Sequence, residues 1–337
     1  MAQADAGIHQ TSRISCALLA AVLAIALPPG GQARSATGMP RLCFLAFDPG
    51  PRESSRFVPF FDGLRDLGWV DGRTIAIEYL SAEGQGERFP ALVADCLAHE
   101  PDIIVASTTP AAQAAKTATR TVPIVMHTLG DPVATGLVAS LARPGGNVTG
   151  TTAMATGTAA KRLSLLKEAV PSLSRVLVLS YLVDPIAAPQ LRELQTAADS
   201  LAMTLLVHEV RSADDLASAF EAGASEGAQA VITTLESIFV AERQRLVELA
   251  TRYQLPGLYH SSRVVEAGGL MAYDSQTTEF QAHTATYVDK ILKGADPSDL
   301  PVQQPTDFKL IVNLRAAKAL GLTMPAGLLA RADEVIE

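Results

Sequence analysis

Three cysteines and a single tryptophan occur in 337 residues, aromatic residues make up only 5% of the chain, and lysine and arginine never gather into a cluster. With a net charge of −8, the missing basic patch counts against a nucleic-acid partner, which would be held through its phosphates. No His/Cys spacing of a metal site is present, and no Gly-x-Gly-x-x-Gly follows a strand pattern, so neither a metal nor a dinucleotide cofactor is expected. The longest apolar run, Cys16 to Leu27, is too short for a membrane span.

That run has a different use. A polar start, the single base Arg13, the apolar stretch, then Pro28-Pro-Gly-Gly31 and small residues up to Ala36 make the layout of a secretory signal peptide over residues 1–36. The expectation is an exported protein in the periplasm, with no membrane insertion once the signal is cleaved. Export leaves Cys43, in a strand pattern, and Cys96, in a helix pattern. Two buried thiols are the favoured reading, with a disulfide the alternative in an oxidising compartment.

The remaining chain alternates short apolar strands with segments of helical period, as parallel βαβ units require. A weak repeat runs through it with a spacing of about 130 residues. RLCFLAFDP (Arg41–Pro49) is echoed by RVLVLSYLVDP (Arg175–Pro185), and TIAIEYL (Thr74–Leu80) by TLLVHEV (Thr204–Val210). PDIIVAST (Pro101–Thr108) is echoed by AQAVITT (Ala228–Thr234), and VPIVMH (Val122–His127) by LPGLYH (Leu255–His260). Four pairs in one order predict an α/β protein of two doubly wound, open parallel-sheet domains. Two strands and two helices left over at the C-terminal end predict a multi-strand hinge. The expected lobes are 40–152 plus 272–300 and 153–271 plus 301–337.

The organising stretch is Asp102 to Gly150. Ile103 to Ala106 reads as a buried strand that runs into Ser107-Thr-Thr-Pro110, an N-cap with Pro in the first helical turn. The free N–H groups and dipole of such a helix start suit a carboxylate. A second strand, Pro123 to Met126, leads to His127 and then Gly130-Asp131-Pro132, read as another helix start.

Six stretches carry a family resemblance. They are FDGLRDLGWVDGRTIAIEY (Phe61–Tyr79), VPIVM (Val122–Met126) with GDPV (Gly130–Val133), GLVASLARPGGNVTG (Gly136–Gly150), EAGGLM (Glu266–Met271), YVDKILKG (Tyr287–Gly294) and NLRAAKALGL (Asn313–Leu322). In these the chain resembles the periplasmic substrate-binding proteins of ABC transporters in the TrpX-like group, which have the type I periplasmic binding fold. The resemblance covers essentially the whole chain beyond the signal segment. It implies a two-lobed receptor, not an enzyme, that closes on a small solute and passes it to a membrane permease and its ATPase. Some members of the group hold aromatic amino acids. The chain departs from the group's usual pattern at Phe47–Gly50 and Leu235–Phe239.

In an open α/β sheet the ligand faces the loops after the strand C-termini, and a cleft between two such domains is a preferred site. The first domain offers Asp48, Ser107, Thr108, Thr109, His127 and Asp131 there, and the second offers Tyr181, Asp184, Thr234, Glu236 and His260, with Ser261 beside it. Tyr273 and Asp274 follow a strand near the hinge. A zwitterionic solute, such as an amino acid or another small carboxylate, would place its carboxylate at Thr108 and Thr109. Its ammonium would meet Glu236 or Asp184, with Tyr181 over its apolar part. Thr108, Thr109 and Asp131 serve equally well as helix caps or turn residues, and His127 and His260 as structural histidines. A monomer is expected. The alternatives are a cleft enzyme of racemase or lyase type with Asp131 and His260 as acid and base, or a binder that delivers ligand to a membrane sensor.

Overall fold

The computed structural model describes residues 38–54, 56–153, 158–275 and 278–337; the expected signal peptide lies outside them. No helix among the described residues is long and apolar enough to cross a membrane.

The first half builds strands β1 (Arg41–Ala46), β2 (Ala76–Ser81), β3 (Ile103–Ala106), β4 (Ile124–Thr128) and β5 (Val148–Thr152), with helices α1 (Val58–Asp66), α2 (Phe89–Ala98) and α3 (Thr109–Ala118). The second half builds α4 (Ala159–Ala169), β6 (Arg175–Ser180), α5 (Ala187–Ser200), β7 (Thr204–Glu209), α6 (Asp215–Ser225), β8 (Ala230–Thr233), α7 (Ser237–Ala241), α8 (Arg243–Arg252), β9 (Gly257–Tyr259), α9 (Ser262–Glu266) and β10 (Met271–Asp274). It ends with α10 (Thr278–Leu292), β11 (Lys309–Asn313), α11 (Leu314–Ala319), α12 (Ala326–Leu329) and β12 (Glu334–Ile336).

The first sheet runs β2-β1-β3-β4-β5, all parallel; the second runs β12-β11-β10-β9-β8-β6-β7. Read from β7, the second sheet repeats the order of the first, and then adds β11 antiparallel to β10, and β12. This is the two-domain α/β architecture that the repeat predicts. Both faces of each sheet are covered, which is why its strands are continuous apolar runs. Leu42, Phe44 and Ala46 of β1 face the α1 side, and Cys43, Leu45 and Phe47 face the α2 and α3 side.

The first lobe is not made from the first half alone. Helix α10 packs along α1 and against β4 and β5, so Ala285, Tyr287, Val288 and Ile291 share the cluster of Phe44, Phe57 and Phe60. Gln303 then lies along the edge of β5, with Thr152 N–H donating to its carbonyl (2.9 Å) and its own N–H donating to Gly150 O (3.0 Å). The chain therefore changes sheet between β5 and α4, between β10 and α10, and between Gln303 and β11. β10, at the start of the segment expected to return to the first lobe, instead pairs with β9 and β11 in the second sheet.

Two expectations are corrected. No helix follows Asp131: its carboxylate accepts from Val133 N (2.8 Å) and Ala134 N (3.1 Å) as a cap would, but Gly136, at φ 71°, ends the coil after one turn. Cys43 and Cys96 form a disulfide rather than two thiols, because α2 lays its buried stripe of Phe89, Val93 and Cys96 on the face of β1 that carries Cys43. The bridge closes a loop with a sequence separation of 53. On chain entropy alone such a loop is worth about 4 kcal/mol. Replacing both cysteines with alanine is therefore expected to lower the melting temperature by roughly 6–10 °C, and an unchanged thermal melt would refute a stabilising bridge.

Candidate functional site

The C-terminal ends of β1, β3 and β4 face those of β6, β8 and β9, and the two lobes touch across this cleft. Phe47 meets Tyr181 edge-on with ring centroids 6.3 Å apart. Gly130, after β4, sits against Ile186 at the start of α5: a Cβ at 130 would lie 2.1 Å from the Ile186 Cγ2 atom and 3.8 Å from Thr109 Oγ1. Leu129 and Ala153 close a small apolar cluster with Ile186 and Leu235. Arg56, in the loop before α1, spans the gap. Its Nε pairs with Asp48 Oδ2 (3.0 Å), its Nη2 donates to Ser237 Oγ (2.7 Å), and its carbonyl accepts from Arg263 Nη2 (3.2 Å).

Around this contact lie buried polar atoms without a hydrogen-bond partner among the described residues: Asp48 Oδ1, Ser107 Oγ and Thr109 Oγ1 from the first lobe, with both ring nitrogens of His260 from the second. Buried polar groups are nearly always paired, so a set of them on two facing surfaces marks a place where a polar molecule fits.

The second lobe adds charge. Asp184 and Glu236 are both buried. Burial raises the Asp184 carboxyl to about 7; burial and the neighbouring Asp184 charge raise Glu236 to about 8. Gln190, from α5, holds both loops, donating to Ile186 O (3.1 Å) and Glu236 Oε1 (3.4 Å) while its own Oε1 accepts from Leu235 N (2.9 Å). Thr234 Oγ1 donates to the other Glu236 oxygen. Beneath them Arg162 is fully buried, lowered to about 10 by burial despite the nearby Glu236 and Glu193, and donates Nη1 to Thr233 O (2.8 Å). Burial, with Arg162 and Arg56 nearby, keeps His260 neutral well below its ordinary range.

The structure thus brings Asp48, Ser107, Thr109, Tyr181, Asp184, Glu236 and His260 to the cleft, with Thr234 supporting Glu236. Other residues singled out from sequence have local tasks. Thr108 caps α3, its Oγ1 accepting from Ala111 N (3.2 Å). Asp131 holds the turn described above. Asp274 Oδ2 accepts from Ser262 N (2.8 Å) at the start of α9, where Ser261 is the N-cap. His127 is tied through Nδ1 to the hydroxyls of Thr151 (2.9 Å) and Thr284 (3.1 Å), and burial lowers it to about 3. It joins β4, β5 and α10 instead of facing the opposite lobe. Tyr273 stacks on Phe308 at 5.3 Å, beside β11 and away from the cleft.

Sequence reasoning missed Arg56, Arg162, Gln190 and Ser237. A signal existed for two of them. Arg162 shares a buried stripe with Leu166 and Ala169, and Gln190 shares one with Leu194 and Ala198. A polar residue on an apolar stripe needs a reason. One apparent catalytic motif has none: Gly223-Ala-Ser-Glu-Gly227 spells Gly-x-Ser-x-Gly, yet it ends α6 rather than turning a strand into a helix, and Ser225 Oγ donates to Ala222 O (2.7 Å).

Comparison with known proteins bears on family and fold. Residues 53–336 match the family model described as ABC transporter substrate binding protein. A tyrosine-binding protein of Clostridioides difficile (strain R20291) is 25% identical over 263 residues, 78% of this chain and 75% of that protein. The crystal structure of an ABC domain in complex with L-Trp from Streptococcus pneumonia superposes with a TM-score of 0.81 at 26% identity, covering 88% of this chain and 100% of that one. The ligand-free, open structure of a substrate-binding protein with adhesive properties from Clostridium difficile gives a TM-score of 0.61 at 24% identity, covering 88% of this chain and 99% of that one.

Proposed function

This chain belongs to the family of ABC transporter substrate-binding proteins, and from that premise we propose that it is an exported receptor whose lobes close on a free amino acid and deliver it to a membrane permease. The family consists of solute binders, not enzymes. Export rests on the signal-peptide pattern of residues 1–36.

The observation that carries the amino-acid reading is the pairing of opposite chemistries across the cleft. One lobe presents the N-terminus of the ten-residue helix α3 with the unsatisfied hydroxyls of Ser107 and Thr109. That end of a helix favours a carboxylate. The other lobe presents Asp184 and Glu236, which favour an ammonium. The edge-on pair Phe47 and Tyr181 forms the apolar part of the wall. Names of two relatives, one binding tyrosine and one carrying L-Trp, support the same solute class.

A thermal-shift panel of amino acids, deaminated acids, amines and sugars tests this. A solute at a hundred times its dissociation constant stabilises the protein by about 2.7 kcal/mol. The expected result is a shift with one or more amino acids. Thr109→Ala is expected to weaken that binding by roughly tenfold or more, the worth of a hydrogen bond to a charged group. A shift with sugars alone would overturn the proposal.

A further inference from the structure

The second lobe buries two carboxylates on adjacent loops without a cation against either one. Asp184 is 6% exposed and Glu236 is 1% exposed. Among the described residues neither takes part in an ion pair. Their hydrogen bonds come from neutral groups: Ile186 N on Asp184 (3.2 Å), and Thr234 and Gln190 on Glu236. Gln190 ties the two loops together through Ile186 O and Leu235 N.

The surrounding charges leave the pair undercompensated. Among the described residues Arg162, from α4, is the cation that acts on it, and that guanidinium is also drawn to Glu193 of α5. Tyr181 and His260 face the pair from the ends of β6 and β9, and both are neutral. Across the cleft Asp48 and Arg56 cancel one another, and Glu87 adds a further negative charge beside Tyr181. Two buried like charges cannot both ionise cheaply, so one proton stays with the pair near neutral pH.

Resting on the amino-acid reading above, we propose that the solute ammonium seats between Asp184 and Glu236 and expels the proton they share, so that capture of solute releases a proton to solvent. One cation enters and one leaves. The charge at the acid pair is unchanged, which avoids the cost of adding a net charge there, while the solute carboxylate is met by the N-terminus of α3. The raised values, about 7 for Asp184 and about 8 for Glu236, place the exchange at neutral pH. The sign follows. As pH falls through about 8 and then about 7, protons compete with the ammonium, and affinity falls tenfold or more for each unit of pH. Above about pH 8 no proton remains to be expelled, and affinity is flat until the solute amine itself deprotonates.

Calorimetric titration of the purified protein with L-tryptophan and L-tyrosine in phosphate and in Tris at equal pH tests the exchange. The expected result is an enthalpy difference between buffers equivalent to about one released proton, lost in Glu236→Gln together with the pH dependence. Tight binding with equal enthalpies in the two buffers would overturn the proposal. If neither amino acid binds, tryptamine and indole-3-propionate separate the two readings. An amine that binds with proton release supports the exchange and overturns the amino-acid reading, whereas an acid that binds without it overturns both. The ligand-free protein supplies an independent check. Against Asp184→Asn/Glu236→Gln, the wild type should take up nearly two extra protons between about pH 9 and about pH 6, the first of them by about pH 7.5. If it does not, the proposal fails whatever the solute.

Discussion

Gly130→Val is expected to weaken solute binding by about tenfold to a hundredfold while leaving the melting temperature of the ligand-free protein nearly unchanged. A Cβ at 130 would lie 2.1 Å from Ile186 Cγ2 and 3.0 Å from Ile186 Cβ, and Ile186 belongs to the opposite lobe. The branched carbon cannot swing away as a long side chain would. The clash exists only when the lobes meet, so it raises the free energy of the closed form alone, and a ligand shifts a two-state equilibrium only by its preference for one state. Overpacking of this kind costs about 1–3 kcal/mol, which sets the range of the effect. Ile186→Ala in the same protein should restore much of the affinity, as coupled neighbours do in a double-mutant cycle. Equal affinities for wild type and Gly130→Val would show that the 130–186 contact does not gate closure.

A second glycine is expected to govern stability instead of binding. Gly150 has φ 132°, and a Cβ there would lie 2.2 Å from Met126 O and 2.7 Å from Met126 N, both backbone atoms of the paired strand β4. Neither atom can move without separating β4 from β5, the same edge that holds the crossing segment at Gln303. Gly150→Ala should therefore cost more than about 4–5 kcal/mol, the range reserved for backbone clashes and similar mechanisms. It should melt at least several degrees lower or fail to accumulate as folded protein. Gly146, four residues earlier and just before β5, has nothing within 4 Å of its Cβ position. Gly146→Ala should change stability by no more than about 0.5 kcal/mol. Denaturant curves of the two variants give the comparison, and coincident curves would refute it.

Much of the architecture was legible because it is periodic. Four strand pairs matched at similar offsets, and the order of the second sheet from β7 to β10 repeats that of the first. The fifth pair, β5 with β10, was not legible: VTGTT and MAYD share no residue. The first needs Gly150 for its close approach to β4, whereas the second needs side chains that pack on β11. The disulfide escaped for a related reason. A spacing along the chain does not give a distance, and the pairing depends on which stripe of α2 lies on β1.

The site was half legible. Topology places residues after strand ends at the cleft, which located Ser107, Thr109, Asp184 and Glu236. On the strands themselves successive side chains alternate in direction, so His127 and Tyr273 could face either way, and both turn from the opposite lobe. Arg56 carries no periodic mark at all. Its importance comes from bridging two lobes that are distant in sequence, to Ser237 over a separation of 181 residues.

The placement of α10 sets an order for folding. Leu42, Phe44, Phe57 and Phe60 are encoded in the first sixty residues, but their cover includes Ala285, Val288 and Ile291. The Trp69 indole finds its partner Asp289 only across 220 residues (3.0 Å). During synthesis this side of the first sheet stays bare while β6 to β10 are already complete. Contacts of such long range close late, after the local elements have formed. At that moment the second lobe still lacks β11, α11, α12 and β12, and with them Leu310, Val312, Ala317, Met324 and Leu328 of its own core. Neither lobe can therefore seal its core until the C-terminal part of the chain has been made.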